Sequence, residues 1–128
     1  MNSLQTIKAR MDKKWSKAVL ANFPTCFFPY CHATSADPHH YVRRSNQNTR
    51  WRVTNGFGLC RLHHTGSDDC VHKRPDLFRQ HIVAVFGEGF VADLEADGRE
   101  TAHFKEHDLL VIEKEVLDVF LKLYNISP

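Results

Sequence analysis

Thiols and imidazoles are the groups in this chain best suited to chemistry, and they are concentrated in one stretch. Between Pro38 and His72 lie five of the nine histidines and two of the four cysteines, in the order His39-His40, Asn55, Cys60, His63-His64, Cys70, His72. One adjacent pair in a histidine-rich chain carries little weight; two pairs flanked by cysteines at ligand spacing carry much more. Cys26-x4-Cys31 and Cys60-x2-His63 form two short ligand pairs joined by a connection of 28 residues. That spacing fits a tetrahedral Cys3His zinc site, and a site closed by four protein ligands is structural. Its thiolates must give up their protons to bind, so metal uptake is linked to folding. Cys70 is left over beside His72 and reads as a bystander thiol.

With the zinc set removed, His39, His40, Asn55, His64 and His72 remain. Hydrolysis of a phosphodiester needs an activated water, a Lewis acid on the phosphate and help for the departing 3′ oxygen. Adjacent residues of a strand point to opposite faces, so of His39 and His40 one can meet a metal and the other an attacking water. His64 and His72 can complete a neutral imidazole set around one divalent cation. Imidazole suits Zn, Ni, Mn or Co better than Mg, which prefers oxygen. Asn55 could brace the loop that carries the base through its amide. His32, His81, His103 and His107 read as surface or hydrogen-bonded residues.

These groups need elements to hold them. Leu4, Ile7, Met11, Trp15 and Ala18 recur at helical spacing, which predicts a helix from Ser3 to about Leu20 with Ser3 as its N-cap. Pro24 stops it, and a Pro-interrupted aromatic loop follows to Cys31, in which Phe27, Phe28 and Tyr30 read as packing around the zinc. Short strands are expected at Asp37 to Val42 and Val53 to Leu59, with a loop from Arg43 to Arg52 between them. Pro75 fits the first turn of a helix running to Gly87. A turn is expected near Asp97-Gly98, then a helix from about Glu106 to Tyr124. Its Leu109, Ile112, Val116, Val119, Phe120 and Leu123 read as a core face, with a dimer surface as the alternative.

The chain has 128 residues and a net charge of +2, a size that suits one domain able to bury a core. With 42% hydrophobic and 25% charged residues and a mean hydropathy of −0.42, it has an ordinary globular profile. No apolar run reaches the roughly 18 residues of a membrane span. The polar, basic start lacks the apolar core of a secretory signal, so a cytoplasmic location is expected, where thiols stay available to metal. Lys8, Arg10, Lys13, Lys14 and Lys17 crowd the start, Arg43, Arg44, Arg50 and Arg52 lie between the histidine pairs, and acidic residues are frequent after residue 88. Such asymmetry predicts a basic face for a phosphate backbone and an acidic face elsewhere. The four arginines are the candidate DNA contacts, with Trp51 either packed or stacking.

The order His39-His40, then Asn55-Gly56-Phe57-Gly58-Leu59-Cys60, then His63-His64 and Val71-His72, resembles the HNH endonucleases of the ββα-metal group, especially the small zinc-knuckle members of bacteria and phages. The likeness covers about Cys26 to Phe86. It implies an α+β fold, a ββα-metal core with a structural zinc knuckle flanked by N- and C-terminal helices. Residues 1–128 would form a single domain, with a helix over 1–22, knuckle and core over 23–87 and a helical extension over 88–128. By that resemblance His40 is the general base, Asn55 the middle Asn, and His64 and His39 ligands of one catalytic divalent cation, Mn, Mg, Ni or Zn. His39 takes a place often held by Asp, and His72 is the further ligand some members carry. The family's zinc pairs are commonly Cys-x2-Cys twice, a departure here at both pairs. The long gap from His64 to His72 could bring in Asp68 or Asp69 instead.

The activity so implied is metal-dependent hydrolysis of DNA, by nicking or double-strand cutting, with weak sequence preference because no second reading element is evident. The alternatives are a non-catalytic zinc-knuckle module that binds nucleic acid, and a structural protein that uses the C-terminal helix as a dimer face. A monomer and a homodimer both fit.

Overall fold

The computed structural model of the protein describes residues 2–128. Helix α1 (Ser3–Asn22) starts one residue earlier than expected in its capping: Asn2, not Ser3, is the N-cap. The Asn2 side chain accepts from the Gln5 amide at 2.7 Å, and Gln5 Oε1 accepts from the Asn2 amide at 3.1 Å, closing a capping box. Strand β1 (Asp37–His40) and strand β2 (Gly56–Leu59) form a two-stranded antiparallel sheet, each shorter than the sequence suggested. Val53–Asn55 is a 3-10 turn, and the loop between the strands holds a short helix, α2 (Gln47–Arg50). A π-helical turn, Leu62–Gly66, leads towards α3 (Pro75–Phe86), which begins on Pro75 as expected and stops at Gly87. Gly87 has φ +92°, a backbone conformation that glycine enters freely.

Two elements differ from the expectation. The turn expected near Asp97-Gly98 is the end of a helix, α4 (Glu88–Gly98), which packs on α3 and buries Val91 and Leu94. The C-terminal helix is present but bulged: α5 (Glu106–Ile112) passes through a π turn (Glu113–Leu117) into α6 (Asp118–Leu123). Residues four apart, Leu109, Glu113, Leu117 and Leu121, face inward. In a regular helix such a row drifts by about 40° at each step, and the wider π turn absorbs the drift. The expected core face is therefore only partly correct: Leu109 is buried, Ile112 and Phe120 are half-buried, and Val116, Val119 and Leu123 face outward.

The result is a mixed helical structure with a small antiparallel sheet, compatible with α+β. Its sheet separates two apolar clusters. One joins Ile7, Met11, Trp15 and Val19 of α1 to Trp51, Leu109, Leu117 and Leu121. The other gathers Phe28, Phe57, Leu59, Phe78, Ile82 and Val91. Strand register divides them: His39 pairs with Phe57 and His40 with Gly56, and paired residues share a face. Phe57 meets Phe78 of α3 at 5.4 Å between ring centroids. On the other face a Cβ on Gly56 would lie 2.2 Å from Val19 Cγ2 and 2.8 Å from Trp15 Cζ2, so only glycine lets α1 pack this closely.

Some of the charges that the sequence divides between a basic and an acidic half pair with one another within the fold. Arg10 and Lys14 of α1 reach the C-terminal helix, where Arg10 grips Glu113 with two bonds of 2.6 Å and Lys14 meets Glu113 at 3.1 Å and Asp118 at 2.6 Å. The Arg10 guanidinium holds the buried Glu113 carboxyl below its usual range, and Lys14 adds to the effect. A carboxyl with a depressed folded pKa stabilises the fold above its unfolded value, and that contribution disappears as pH falls through the folded one. Glu113→Gln should cost about 1–3 kcal/mol at neutral pH. Denaturant melts should show the two proteins converging as the pH drops below about 4.3.

Candidate metal centre

The four residues expected to hold zinc come together. Cys26 and Cys31 sit on the loop after α1, which closes through an isolated bridge between Thr25 and Thr34 and the Cys26 amide donating to Ala33 at 2.9 Å. Tyr30 turns the loop at φ +62° and is 97% exposed, so it is a turn residue and not the packing residue expected. Phe28 is buried and stacks on the His63 ring at 4.2 Å, and Phe27 joins the cluster with Phe57. Cys60 and His63 come from the end of β2 and the following turn.

His63 Nδ1 lies 3.3 Å from Cys60 Sγ and 3.5 Å from Cys26 Sγ, and Cys31 Sγ lies 4.0 Å from Cys60 Sγ. Tetrahedral zinc, with Zn–S of about 2.3 Å and Zn–N of about 2.0 Å, sets such pairs about 3.5 and 3.8 Å apart. Cys26, Cys31, Cys60 and His63 can thus hold a metal ion such as zinc. Burial pushes the Cys26 thiol up, so a metal entering there must displace its proton. Cys70 is buried outside this group, its carbonyl accepting from Arg74 at 2.8 Å.

A second convergence lies across β1. The ligand atoms of His39, His64 and His72 all lie within 4.8 Å of one another. His64 and His72 bring their Nε2 atoms to 3.2 Å, and two nitrogens on one metal are about 3.0–3.4 Å apart. His39 is packed on Phe78, and burial, with lesser contributions from His64 and His72, pushes its pKa down to about 3. It is therefore neutral, the form a metal takes. Asp68 is fully exposed and Asp69 accepts from the Ser67 hydroxyl at 2.6 Å, so neither joins the set.

One partner escaped the sequence reading. Asp37 Oδ2 lies 3.0 Å from His64 Nδ1. A carboxylate there holds the proton on Nδ1 and frees Nε2 for a ligand's role. Its signal was in the chain, because Asp37 and His39 are two apart on a strand and share a face.

His40 points the other way, onto α1. Its ring stacks on Trp15 with centroids 3.7 Å apart and planes 7° from parallel. Nε2 lies 3.0 Å from the Arg50 carbonyl, which can only accept, so Nε2 carries the proton and Nδ1 keeps a free lone pair. Burial lowers the His40 pKa, against a smaller opposing effect of that hydrogen bond.

Asn55 is fully buried and braces the loop that supplies this carbonyl. Its Oδ1 accepts from the Val42 amide at 2.8 Å, and its Nδ2 donates to the carbonyls of Val42 at 3.1 Å and Thr49 at 3.3 Å.

The four arginines differ in fate. Arg50 is largely buried and grips Asp12, with Nη2 at 2.7 Å, while the packed Trp51 donates to the same carboxylate at 2.9 Å. Arg52 pairs with Asp97. Arg44 also meets Asp12, at 2.9 Å, but is 63% exposed. Arg43 is exposed, makes no ion pair among the described residues, and borders a hollow of about 410 Å³ with Asn46, Gly98, Thr101 and His103. No helix among the described residues is long and apolar enough to cross a membrane.

No protein-family model, no curated protein and no solved structure matches this chain.

Cobalt(II) titration distinguishes the two groups. The first equivalent should produce a near-ultraviolet thiolate-to-cobalt charge-transfer band that Cys60→Ser abolishes. A second equivalent should bind without that band and be lost in His64→Ala, with the first left intact. A single equivalent in the wild type would show that the three histidines take no metal.

Proposed function

We propose that the protein is a metal-dependent endonuclease of the ββα-metal type that hydrolyses DNA phosphodiester bonds. The observation that carries this reading is the arrangement about β1: His39 converges with the imidazoles of His64 and His72, while the next residue, His40, has its proton held on one nitrogen and a lone pair left on the other. A ββα order of β1, β2 and α3, with a Cys3His group tying the preceding loop to the end of β2, supports it further. A divalent cation held by His39, His64 and His72 would supply Lewis acidity to the scissile phosphate and to the departing 3′ oxygen.

The chain's own residues do the rest. His40 is kept neutral by burial and can take the proton of an attacking water on Nδ1. As that proton arrives, the Nε2–H bond to the Arg50 carbonyl strengthens and steadies the imidazolium. Asn55 holds Thr49 and Val42, and so the segment from which the Arg50 carbonyl projects; its role is positioning. Trp15 limits the tilt of the His40 ring. Arg43 and Arg44 are the arginines open to phosphate, whereas Arg50 is committed to Asp12 and serves the loop. Contacts of this kind position a duplex without reading its bases, which fits weak sequence preference.

Supercoiled plasmid incubated with Mn, Mg, Ni or Zn should be converted to nicked or linear product. His40→Ala should cut about 10²–10⁴-fold more slowly while keeping its cobalt stoichiometry. A wild type that cuts with none of these metals, or a variant that cuts equally well, would leave the non-catalytic zinc-knuckle module as the reading to pursue.

A further inference from the structure

The outward side of the C-terminal helix carries an ordered apolar row. Ile112, Val116, Val119 and Leu123 follow at intervals of four, three and four residues, with the π turn of Glu113–Leu117 inside the run. Val116, Val119 and Leu123 are 44%, 50% and 75% exposed, and Ile112 is half-buried at the edge of the core. They lie beside the inward row of Leu109, Glu113, Leu117 and Leu121, so the helix has two apolar sides and the fold uses only one.

Charge and shape point to what fits the other side. Glu115 and Lys122 are exposed and seven residues apart, and neither forms a salt bridge among the described residues. Two copies of this helix laid antiparallel, with Ile112 against Leu123 and Val116 against Val119, bring all four apolar layers into register. The same register sets Glu115 of each copy beside Lys122 of the other, twice by symmetry. A parallel pair has no such match, because Glu115 would then flank Phe120. Beside the seam, Trp51, Phe104, Ile112 and Val116 border a hollow of about 220 Å³. In the antiparallel register the most exposed side chain of the row, Leu123, arrives at Ile112 on its edge.

We propose that the protein forms a homodimer through this face, with the two C-terminal helices antiparallel and Glu115 paired to Lys122 across the two-fold axis. Association of this kind is independent of the chemistry at the metal centre.

Sedimentation equilibrium of the full chain tests it, since the monomer mass is 14.8 kDa. The wild type should sediment as a dimer at micromolar concentration, and Val119→Asp as a monomer. Glu115→Lys and Lys122→Glu should each weaken the dimer about tenfold at low salt by turning both pairs repulsive, and the double reversal should restore it. A wild type that is monomeric at the highest attainable concentration would overturn the proposal, as would a dimer indifferent to Val119→Asp. A dimer that Val119→Asp breaks but the single reversals leave unchanged would overturn the antiparallel register.

Discussion

Consecutive side chains on an extended strand face opposite sides of a sheet, and the arrangement around His39 and His40 depends on that alternation. The register pairs His39 with Phe57 on the side of α3, and His40 with Gly56 on the side of α1. One imidazole joins two others from the loop beyond β2, while its neighbour is held by Trp15 and the Arg50 carbonyl. A slip of one residue would exchange the two environments. The ladder must therefore be secured more firmly than four residues per strand can manage alone, because isolated two-stranded ribbons are marginal in water.

Support comes from three directions, each through a different interaction. Helix α1 lies against Gly56 so closely that no side chain fits between them. Aromatic rings from α3 and the knuckle loop fill the opposite face, with Phe78 meeting both Phe57 and His39. The third support is polar. Asn55 continues the sheet beyond its last pair by bonding Val42 and Thr49 through its amide, with the Tyr41 amide donating to its carbonyl at 2.9 Å. A fully buried amide is costly unless its groups are met, and here both side-chain polar atoms are.

Charged groups tie these supports together. Asp12 of α1 receives Arg44, Arg50 and the Trp51 indole, so α1 also secures the loop that presents the Arg50 carbonyl to His40. Tyr41, next to His40, donates to Glu95 of α4 at 2.7 Å, and Glu95 in turn holds Arg79 of α3. Through such pairs the basic half of the chain meets the acidic half within the fold.

The sequence by itself determined the chemical inventory and the elements with strong local signals. Cys26, Cys31, Cys60 and His63 were legible as one ligand set because thiol and imidazole pairs at short spacing have few other uses, and they do lie together. Helix α1 and the start of α3 were legible because apolar period and Pro75 act locally. Helix α4 was not, since Asp97-Gly98 reads as a turn and the segment before it carries only Phe90, Val91 and Leu94 as large apolar residues. Tertiary structure alone decided the phase of the C-terminal helix: Arg10 and Lys14 draw Glu113 inward, and the π turn that accommodates it leaves Val116 and Val119 facing water. It also decided which arginines remain available and which carboxylate, Asp37, orients His64. Spacing along a chain reports which side chains can share a face, whereas their partners come from other elements and are set only when those elements pack.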